Sequence, residues 1–433
     1  MAQDQQGIFN LVDATALFKI KYEKLSENVY NSANVLLGRV KKSYNFTGKQ
    51  LQISIPQSFS GGVGSGVLPQ SNQAIYSEAI IKAKKMYAVV EIDRETIKAA
   101  LSDEGSFVRA TKEVVKKGVE SFMRNLSRAL FHDQSGSVGV VDVTASGSGL
   151  SDSGSASNPI VKITDASFKE ANLEERDLVN VHQGTNASSL FEIEEVNVAA
   201  KTVKLIRLAG TEDLSTDSGL DAIVGTDTDF SLFMQGSRGK DPEGLKGVLL
   251  EENRTSSKSY EITHGRRWQA QTKIISNNSE AISTDMLNEM MLKVKKACGK
   301  SPNMIVASFK QYERILNLLE SQKRYTVPTR AGLKSKSGAD ISFSGVEFMS
   351  VDGPVGIFPE RFVEDDTVYL LNDAHIHIYH RPDFGWFDDD GTVFLRKANS
   401  DSYEARYGGY LECYINPCFH GVIKGLSSVD IAP

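Results

Sequence analysis

The sequence has few cysteines and no long apolar run. Its three cysteines, Cys298, Cys413 and Cys418, are too few for a disulfide framework and lack the CxxC spacing of zinc and redox sites. No stretch approaches the roughly 20 apolar residues of a membrane-spanning helix. The first residues have neither the basic start nor the apolar run of a signal peptide. These absences argue against a secreted disulfide scaffold and a membrane protein, and they predict a soluble protein of a reducing cytoplasm.

An excess of positive charge is also missing. The chain carries 49 Lys+Arg against 55 Asp+Glu, a net charge of -6, which argues against a protein that binds nucleic acid mainly by charge. Residues 136–237 hold 6 basic and 16 acidic residues, so this segment carries -10 and the remainder +4. An acidic segment therefore interrupts a nearly neutral body. With 433 residues, the chain is long enough for two or three domains.

The apolar pattern predicts a long amphipathic helix over residues 106–131. Such a helix would be about 39 Å long at 1.5 Å per residue, and we expect other elements to pack across it. Its apolar positions recur every three or four residues and are Val108, Val115, Val119, Phe122, Leu126, Ala129 and Leu130.

The preceding sequence predicts a helical arm and then a long hairpin. Residues 13–42 show helical spacing of apolar residues, with Asp13 placed as the N-cap. A strand is predicted to end at Pro56, and a return strand over 74–92 alternates apolar and polar residues. A ribbon of this length cannot bury enough surface to be stable alone. We therefore expect it to lie on another subunit.

The glycine-rich stretch 60–66 is predicted to be the loop tip of this hairpin. It does not match a phosphate-binding loop, because the GxxxxGK[ST] lysine is missing and Pro69 and a strand follow. After the return strand, a short helix is predicted over 93–101, with Asp93 as its cap.

The acidic segment 136–237 is predicted to be a small β-barrel or β-sandwich. It opens with the Ser/Gly-rich stretch 145–157, a composition that predicts flexibility. Short strands follow at 160–164, 178–181, 190–196, 202–208 and 229–234, separated by turn-rich stretches.

The last part of the chain predicts a compact α/β unit followed by strands. Residues 241–247 form a turn, a helix over 284–297 ends at Gly299, and a buried strand follows at Met304–Ala307. The next helix, which ends near Glu320, opens with a capping box of Ser308 and Gln311. Strands are predicted from Ile341 onward, the last of them long and spanning 404–416.

This order of parts resembles the major capsid proteins of tailed bacteriophages of the Hong Kong 97 type. The elements that carry the resemblance are the arm, the glycine-tipped hairpin, the return strand Lys-Lys-Met-Tyr-Ala-Val-Val-Glu-Ile and the long helix. The resemblance implies an α+β capsid fold and covers nearly all of the chain outside the acidic segment. The implied parts are an N-terminal arm (1–43), an extended hairpin or E-loop (44–92), a peripheral domain with the spine helix (93–135), an inserted β-rich acidic domain (136–237), peripheral return strands (238–280), an axial domain (281–395) and C-terminal peripheral strands (396–433).

The same resemblance implies a structural protein, not an enzyme, with no catalytic residues, cofactor or metal. Many copies would form the pentamers and hexamers of an icosahedral shell around double-stranded DNA, which they would contact weakly. A scaffolding protein, a portal at one vertex and assembly in the bacterial cytoplasm are implied as well. The resemblance leaves open whether decoration proteins bind and whether subunits are cross-linked through Lys82 or Lys84.

Three alternatives remain at this point. An encapsulin-like shell has the same fold but encloses enzymes instead of a genome. A metal-dependent enzyme could use His375, His377 and His380, since the first two would share one face of a strand, although His380 is out of phase with them. A glycan-binding β module would need only 136–237. The Asp-rich stretch 388–391 lacks the spacing of a calcium loop and predicts a hairpin turn.

Overall fold

The computed structural model describes most of the chain and has mixed α and β structure. The described residues are 35–43, 50–58, 75–94, 104–142, 151–155, 158–164, 167–183, 190–209, 230–250, 259–262, 268–320, 332–334, 340–342, 346–350, 352–387, 393–397 and 401–427. The chain divides into two compact units, the first formed by Met1–Leu130 with Pro242–Pro433 and the second by Phe131–Asp241. None of the helices in these described ranges is long and apolar enough to cross a membrane.

The described helices and strands are numbered in chain order. The α-helices are α1 (Val35–Arg39), α2 (Glu104–Phe131), α3 (Leu245–Leu249), α4 (Thr284–Cys298) and α5 (Phe309–Glu320). The strands before α3 are β1 (Lys41–Ser43), β2 (Gln50–Ser58), β3 (Ile75–Lys82), β4 (Lys84–Asp93), β5 (Ser137–Val140), β6 (Ser151–Ser155), β7 (Asn158–Lys162), β8 (Leu178–Gln183), β9 (Leu190–Asn197), β10 (Thr202–Ala209) and β11 (Phe230–Met234). The strands after α3 are β12 (Gln271–Ile274), β13 (Met304–Ala307), β14 (Gly332–Lys334), β15 (Asp340–Ser342), β16 (Val346–Ser350), β17 (Gly353–Pro359), β18 (Val368–Leu371), β19 (Ile376–Trp386), β20 (Leu395–Arg396), β21 (Ser402–Ile415) and β22 (Gly421–Lys424).

A five-stranded sheet in the first unit is built around β21. This strand pairs with β19 and β20 on one edge and with β4 on the other, and β1 pairs in parallel with β19. In β4 the side chains of Met86, Ala88 and Val90 are buried, whereas Tyr87 and Val89 are exposed. The predicted alternation along this strand is therefore confirmed. The strands of this sheet come from distant parts of the sequence.

The long helix α2 packs against β4 and β21. Phe122 is fully buried, and its ring centroid lies 5.2 Å from that of Tyr407 on β21. A Cβ atom placed at Gly118 would lie 2.4 Å from the Cγ2 atom of Val90, so the missing side chain lets the helix approach the strand closely. The predicted helix is confirmed and begins at Glu104.

A six-stranded sheet and two helices form the other layered part of the first unit. The strand order is β12, β22, β18, β13, β17 and β16, with α4 and α5 packed on the sheet. The core between them includes Met290, Ile305, Ile357, Leu370 and Ile423. The predicted helix–strand–helix succession and the buried strand Met304–Ala307 are confirmed.

The ends of α4 and α5 follow from local chemistry. The Ser283 hydroxyl accepts a hydrogen bond from Met286 N at the start of α4, and Gly299, with φ of 77°, ends that helix. At the start of α5, Gln311 N donates to the Ser308 hydroxyl over 3.2 Å. The second half of the predicted capping box does not form, because Gln311 Oε1 accepts no hydrogen bond. Gln311 Nε2 donates to the carbonyl oxygens of Asp365 and Ser427.

The predicted hairpin is shorter than expected. Strands β2 and β3 pair in antiparallel register and form a two-stranded sheet of their own. The prediction of one continuous return strand over 74–92 is wrong, because that stretch divides at Ala83 and β4 joins the five-stranded sheet instead. The strand expected to end at Pro56 continues to Ser58 with a register shift after Pro56.

The second unit is a small β-barrel. Its seven strands follow the order β5, β11, β8, β9, β10, β7 and β6. Val141 bridges Ile163, while Asp142 N donates to Lys162 O and Thr164 N to Val140 O. These contacts join β5 to the end of β7 and close the sheet. Its core includes the fully buried side chains of Phe191, Ile193, Val203 and Leu205.

All five strands expected between 160 and 234 are present in this unit, within two residues of their predicted limits. The expectation that 145–157 is wholly flexible is wrong, since Ser151–Ser155 form β6 and pair with β7. Its serine and glycine residues give no apolar alternation, so the pairing is not visible in the sequence.

Several predictions fall outside the described residues. These are the helical arm before residue 35, the glycine-rich tip 60–66 with Pro69, all but the start of the helix at 93–101, and the turn at 388–391. The side chains of Val108 and Val115 in α2 are likewise not described.

Candidate functional site

The three histidines of the predicted metal site lie in different environments. His375 belongs to the 3-10 turn Asp373–His375 that precedes β19, so the expectation that it shares a strand face with His377 is wrong. Its ring stacks on Phe419 with centroids 3.6 Å apart, and Lys300 Nζ lies 3.5 Å from its Nε2 atom. Burial, followed by the charge of Lys300, lowers the pKa of His375.

His377 and His380 lie on opposite faces of β19, because they are three residues apart on a strand. His377 is half-buried and stacks beside Tyr379, with ring centroids 6.0 Å apart. His380 is 2% exposed and stacks on Phe384. Among the residues that the structure describes, no group of three His, Cys, Asp or Glu side chains could hold a metal ion. The geometry thus favours aromatic packing for these imidazoles.

The base of the β2–β3 ribbon packs against other parts of the first unit, to which the ribbon belongs. Ala79 and Ile81 on β3 are fully buried, and Lys82 forms an ion pair with Glu261. Glu261 and its neighbour Tyr260 both have positive φ values, 59° and 56°. This backbone conformation is unfavourable for residues with a Cβ atom. It brings Tyr260 toward β21 and Glu261 toward the ribbon.

A buried polar cluster surrounds the last residues of β21. The Tyr260 hydroxyl donates to Cys413 O over 2.7 Å and accepts from Ile415 N over 3.1 Å. Glu412 Oε1 accepts from Glu243 N over 2.7 Å and from Cys413 N over 3.1 Å. Glu412 is 3% exposed and Glu243 is 9% exposed. The cluster therefore fastens residues 243 and 260 to the same strand.

Charges inside this cluster shift several proton equilibria. Burial, followed by the charge of Glu243, raises the pKa of Glu412 to about 8, although the hydrogen bonds from Glu243 N and Cys413 N and the charge of Lys84 act in the opposite direction. Burial and the carboxylates of Glu412 and Glu243 also raise the pKa of the Cys413 thiol. Near neutral pH the site therefore favours the protonated forms of Glu412 and Cys413.

This cluster was not predicted from the sequence. The signal that could have revealed it is a single acidic residue, Glu412, in the apolar run Tyr-Leu-Glu-Cys-Tyr-Ile of the predicted strand 404–416. A carboxylate at such a position must be hydrogen-bonded or protonated. Its partners Glu243 and Tyr260 are far away in the sequence, so no local pattern connects them.

Large apolar side chains are exposed at separate places on the first unit. Tyr76 on the ribbon is 58% exposed, Phe309 at the start of α5 is 60% exposed, and Met349 on β16 is 74% exposed. Strand β16 is an edge strand of the six-stranded sheet. An apolar cleft between α4, α5 and β16 is lined by Leu287, Ile315 and Phe348 among others. Apolar side chains that are exposed singly in this way are normal on protein surfaces and do not by themselves mark an interface.

The fold is that of a phage capsid subunit. A chain of the cyanophage A-1(L) capsid asymmetric unit matches with a TM-score of 0.50 and 11% sequence identity, covering 98% of this chain and 96% of the phage chain. The Synechococcus elongatus SrpI encapsulin matches with a TM-score of 0.44, 8% identity and coverages of 92% and 89%. Mycobacterium phage Bobi matches with a TM-score of 0.40, 11% identity and coverages of 91% and 90%. TM-scores below 0.5 do not establish a shared fold. The assignment to the phage capsid fold therefore rests on the cyanophage chain.

Residues 218–386 match the family model of the SU10 major capsid protein. The matched stretch is less than half of the chain and contains α4, α5 and most of the six-stranded sheet. No curated protein matches the chain. The family match and the fold confirm the resemblance to tailed-phage major capsid proteins, and the chain is a shell-forming major capsid protein.

Proposed function

We propose that many copies of this chain assemble as pentamers and hexamers into an icosahedral shell that encloses the double-stranded DNA genome of a tailed bacteriophage. The subunit acts by geometry, without catalysis or a cofactor. In the Hong Kong 97-type arrangement, the β2–β3 ribbon overlaps a neighbouring subunit as the E-loop. The parts around α2 and the five-stranded sheet form the peripheral domain, and the six-stranded sheet with α4 and α5 forms the axial domain.

The observation that carries this proposal is the two-stranded ribbon. Strands β2 and β3 pair only with each other among the strands that the structure describes. Their pairing places Leu51 opposite Ile81 and Ile53 opposite Ala79, so one face is apolar. Beyond the buried base, Tyr76 on the other face is largely exposed. Because Ile55, Ala79 and Ile81 on the apolar face are already buried within the subunit, a neighbouring copy would cover the other face, which carries Tyr76.

The position of the inserted domain and the other partners of the subunit follow from the same proposed arrangement. The β-barrel of residues 131–241 is an inserted domain, and its acidic composition suits the outer face of a shell, away from DNA. The near-neutral body fits a container filled by a motor through a portal, with weak DNA contacts. A separate scaffolding protein guides assembly in the bacterial cytoplasm, and the finished subunit resides in the virion capsid.

Shortening the hairpin beyond the paired residues of β2 and β3 tests the proposal. Ser58 and Ile75 are paired residues at the ends of β2 and β3, so an Asn-Gly turn can replace residues 59–74 and keep the hairpin closed. We expect the variant to fold as a subunit but to form no closed shells when it is coexpressed with its scaffolding protein. Circular dichroism checks folding, and negative-stain electron microscopy checks shells.

The matched control replaces an equally long stretch, residues 212–227 between β10 and β11 of the barrel, with a Gly-Ser linker. This control should assemble like the wild type. Shells of normal size from the shortened ribbon would contradict the proposed overlap. Single subunits from wild type and both variants under every condition would contradict shell formation itself.

An encapsulin-like shell is the weaker alternative, since the SrpI likeness does not establish a shared fold and the family match is to a phage capsid protein. The content of purified native particles separates the two. Nuclease-protected double-stranded DNA of uniform length supports the phage capsid, whereas particles that contain an enzyme and no DNA support the encapsulin.

A further inference from the structure

A group of cationic side chains surrounds His375 just before β19. Lys300, in the loop between α4 and β13, places its Nζ atom 3.5 Å from His375 Nε2. Lys41 on β1 is paired in register with His377 on β19, so these two side chains lie on the same face of the five-stranded sheet. The charges of all three neighbours act on the His375 ring. We call these four residues the basic cluster.

The two ammonium groups of the basic cluster have no carboxylate partner among the residues that the structure describes. Lys41 and Lys300 are both exposed, and neither forms an ion pair with a described Asp or Glu. The carboxylate that acts on His375 is that of Asp373. It already accepts a hydrogen bond from Asn303 Nδ2 over 2.6 Å and acts on the Arg39 guanidinium as well. The basic cluster therefore carries an excess of positive charge.

One aromatic ring supports both donors of the cluster. His375 stacks on Phe419 with ring centroids 3.6 Å apart, and Lys300 Nζ lies 5.7 Å from the centroid of the same ring. This packing restricts the two side chains, so less conformational entropy is lost when a ligand fixes them. The ammonium groups repel a metal ion and attract an anion. The charge of the site is thus opposite to that expected for a ligand set for metal.

We propose that the basic cluster binds a phosphate group, which accepts hydrogen bonds from the Lys300 ammonium and the protonated His375 ring and is attracted by Lys41. In the free subunit His375 Nε2 accepts from Lys300, because an ammonium group can only donate. A bound phosphate takes over that donor, and the imidazole takes up one proton from solvent and donates as well.

The position of the donors favours phosphate over a carboxylate. They belong to three separate elements, namely the loop after α4, the turn before β19 and strand β1. A ligand that meets all of them needs oxygen atoms in several directions, which a tetrahedral phosphate has and a planar carboxylate lacks. Inorganic phosphate and the backbone of DNA offer the same group. Only the DNA source rests on the proposed function.

Phosphate titration of the unassembled full chain, followed by the NMR signals of its histidine rings, tests the site. The titratable and charged groups around His375 are Lys300, His377, Lys41, Asp373 and the buried His420. Burial, followed by the charge of Lys300, lowers the pKa of His375 in the free subunit. We expect phosphate to raise this pKa at constant ionic strength, whereas sodium chloride should not. K300Q should weaken phosphate binding about five- to tenfold, and K41Q about threefold, since each removes one favourable charge.

The control Lys293→Gln removes the same charge from an exposed lysine of α4, which pairs with Glu289 over 2.7 Å, and should bind phosphate like the wild type. If K300Q perturbed the fold, K41Q on a separate strand would give an independent measurement. The same rise with chloride, or equal phosphate affinity in the wild type, K300Q and K41Q, would overturn the site.

A DNA duplex of about 20 base pairs, measured by fluorescence anisotropy with the same variants, identifies the source of the phosphate. If the DNA backbone binds here, K300Q lowers the duplex affinity and reduces the slope of its salt dependence by about 1. If phosphate shifts the His375 signal and the duplex affinity does not depend on Lys300, the site binds free phosphate. Neither measurement needs assembly, so a negative result leaves shell formation to its own test, and an absence of shells leaves phosphate binding measurable.

Discussion

The barrel of the second unit and the five-stranded sheet of the first unit bury different kinds of side chain. Among the described residues, the core cluster of the barrel consists of valine, leucine, isoleucine and phenylalanine. The five-stranded sheet buries the same residue types but also Glu412 and His380, at 3% and 2% exposure. Apolar burial is insensitive to pH, whereas buried titratable groups link stability to protons. The first unit should therefore respond to pH, and the barrel should not.

Removing one core ring from each unit gives the largest expected effect. Phe191 of the barrel and Phe122 of α2 are both fully buried. Replacing either by alanine removes apolar burial and leaves a cavity, at a cost of about 3–5 kcal/mol. Hydrogen exchange should show lost protection in β8–β10 for Phe191→Ala and in β4 and β21 for Phe122→Ala. The Phe191→Ala loss should be equal at pH 6 and pH 8.

These two substitutions also test the division into compact units. Val198, which is 46% exposed in the barrel, gives the control Val198→Ala, with little expected change. If Phe191→Ala lowered protection equally in β9 and in β21, the two cores would unfold together and the contrast between them would be wrong.

The second-largest expected effect comes from a buried imidazole, which makes the folded chain less stable at acidic pH. His420 is fully buried, and its Nδ1 atom accepts from Asn372 N over 3.2 Å. Burial, followed by the charge of His375, lowers its pKa to about 3. The folded chain therefore holds it neutral while the unfolded chain protonates it below about pH 6.5. The contribution of the neutral His420 to the free energy of unfolding is fully present above pH 6.5. It falls by about 1.4 kcal/mol per pH unit as the pH decreases toward 3.

The variant His420→Gln isolates this contribution. Urea unfolding at pH 7, 5.5 and 4.5, followed by the exchange protection of β22, should show that the wild type loses more stability on acidification than the variant. Glu412 and Glu360, whose burial raises their pKa values to about 8 and about 7, act in the opposite sense. Because both proteins contain them, they cancel in the difference. Equal acid sensitivity of both proteins would contradict a neutral buried His420.

The same contrast explains what could be predicted from the sequence. Five of the seven barrel strands were predicted within two residues of their limits, because one wet and one buried face impose a period of two. The short strand β5, Ser-Val-Gly-Val, was missed. Strand β6 has only Ser, Asp and Gly, so it leaves no such pattern. The five-stranded sheet combines β1, β4, β19, β20 and β21, and pairings between such distant strands have no local signal.

The expectation that His375 and His377 share a strand face is wrong for a related reason. The spacing of His375 and His377 suits a metal on a regular strand, but the chain turns at Asp373–His375 before the strand begins. Asn372 caps that turn by accepting from Ala374 N, a detail that strand periodicity does not contain. Conversely, Glu412 could have been singled out as an acid within an apolar run, but its partner Glu243 could not.

The smallest expected effect concerns backbone strain in the barrel, which depends neither on burial nor on pH. Lys201 lies in the turn between β9 and β10 with φ of 56°, a region that costs a residue with a Cβ atom about 1 kcal/mol. Asparagine tolerates this conformation better, so Lys201→Asn should stabilise the barrel by about 0.5 kcal/mol. The neighbouring Ala199 does not have a positive φ, and Ala199→Asn should give no gain. Exchange protection of β9 and β10 measures both. A gain in both variants would indicate a general effect of asparagine in this turn and not relief of strain at residue 201.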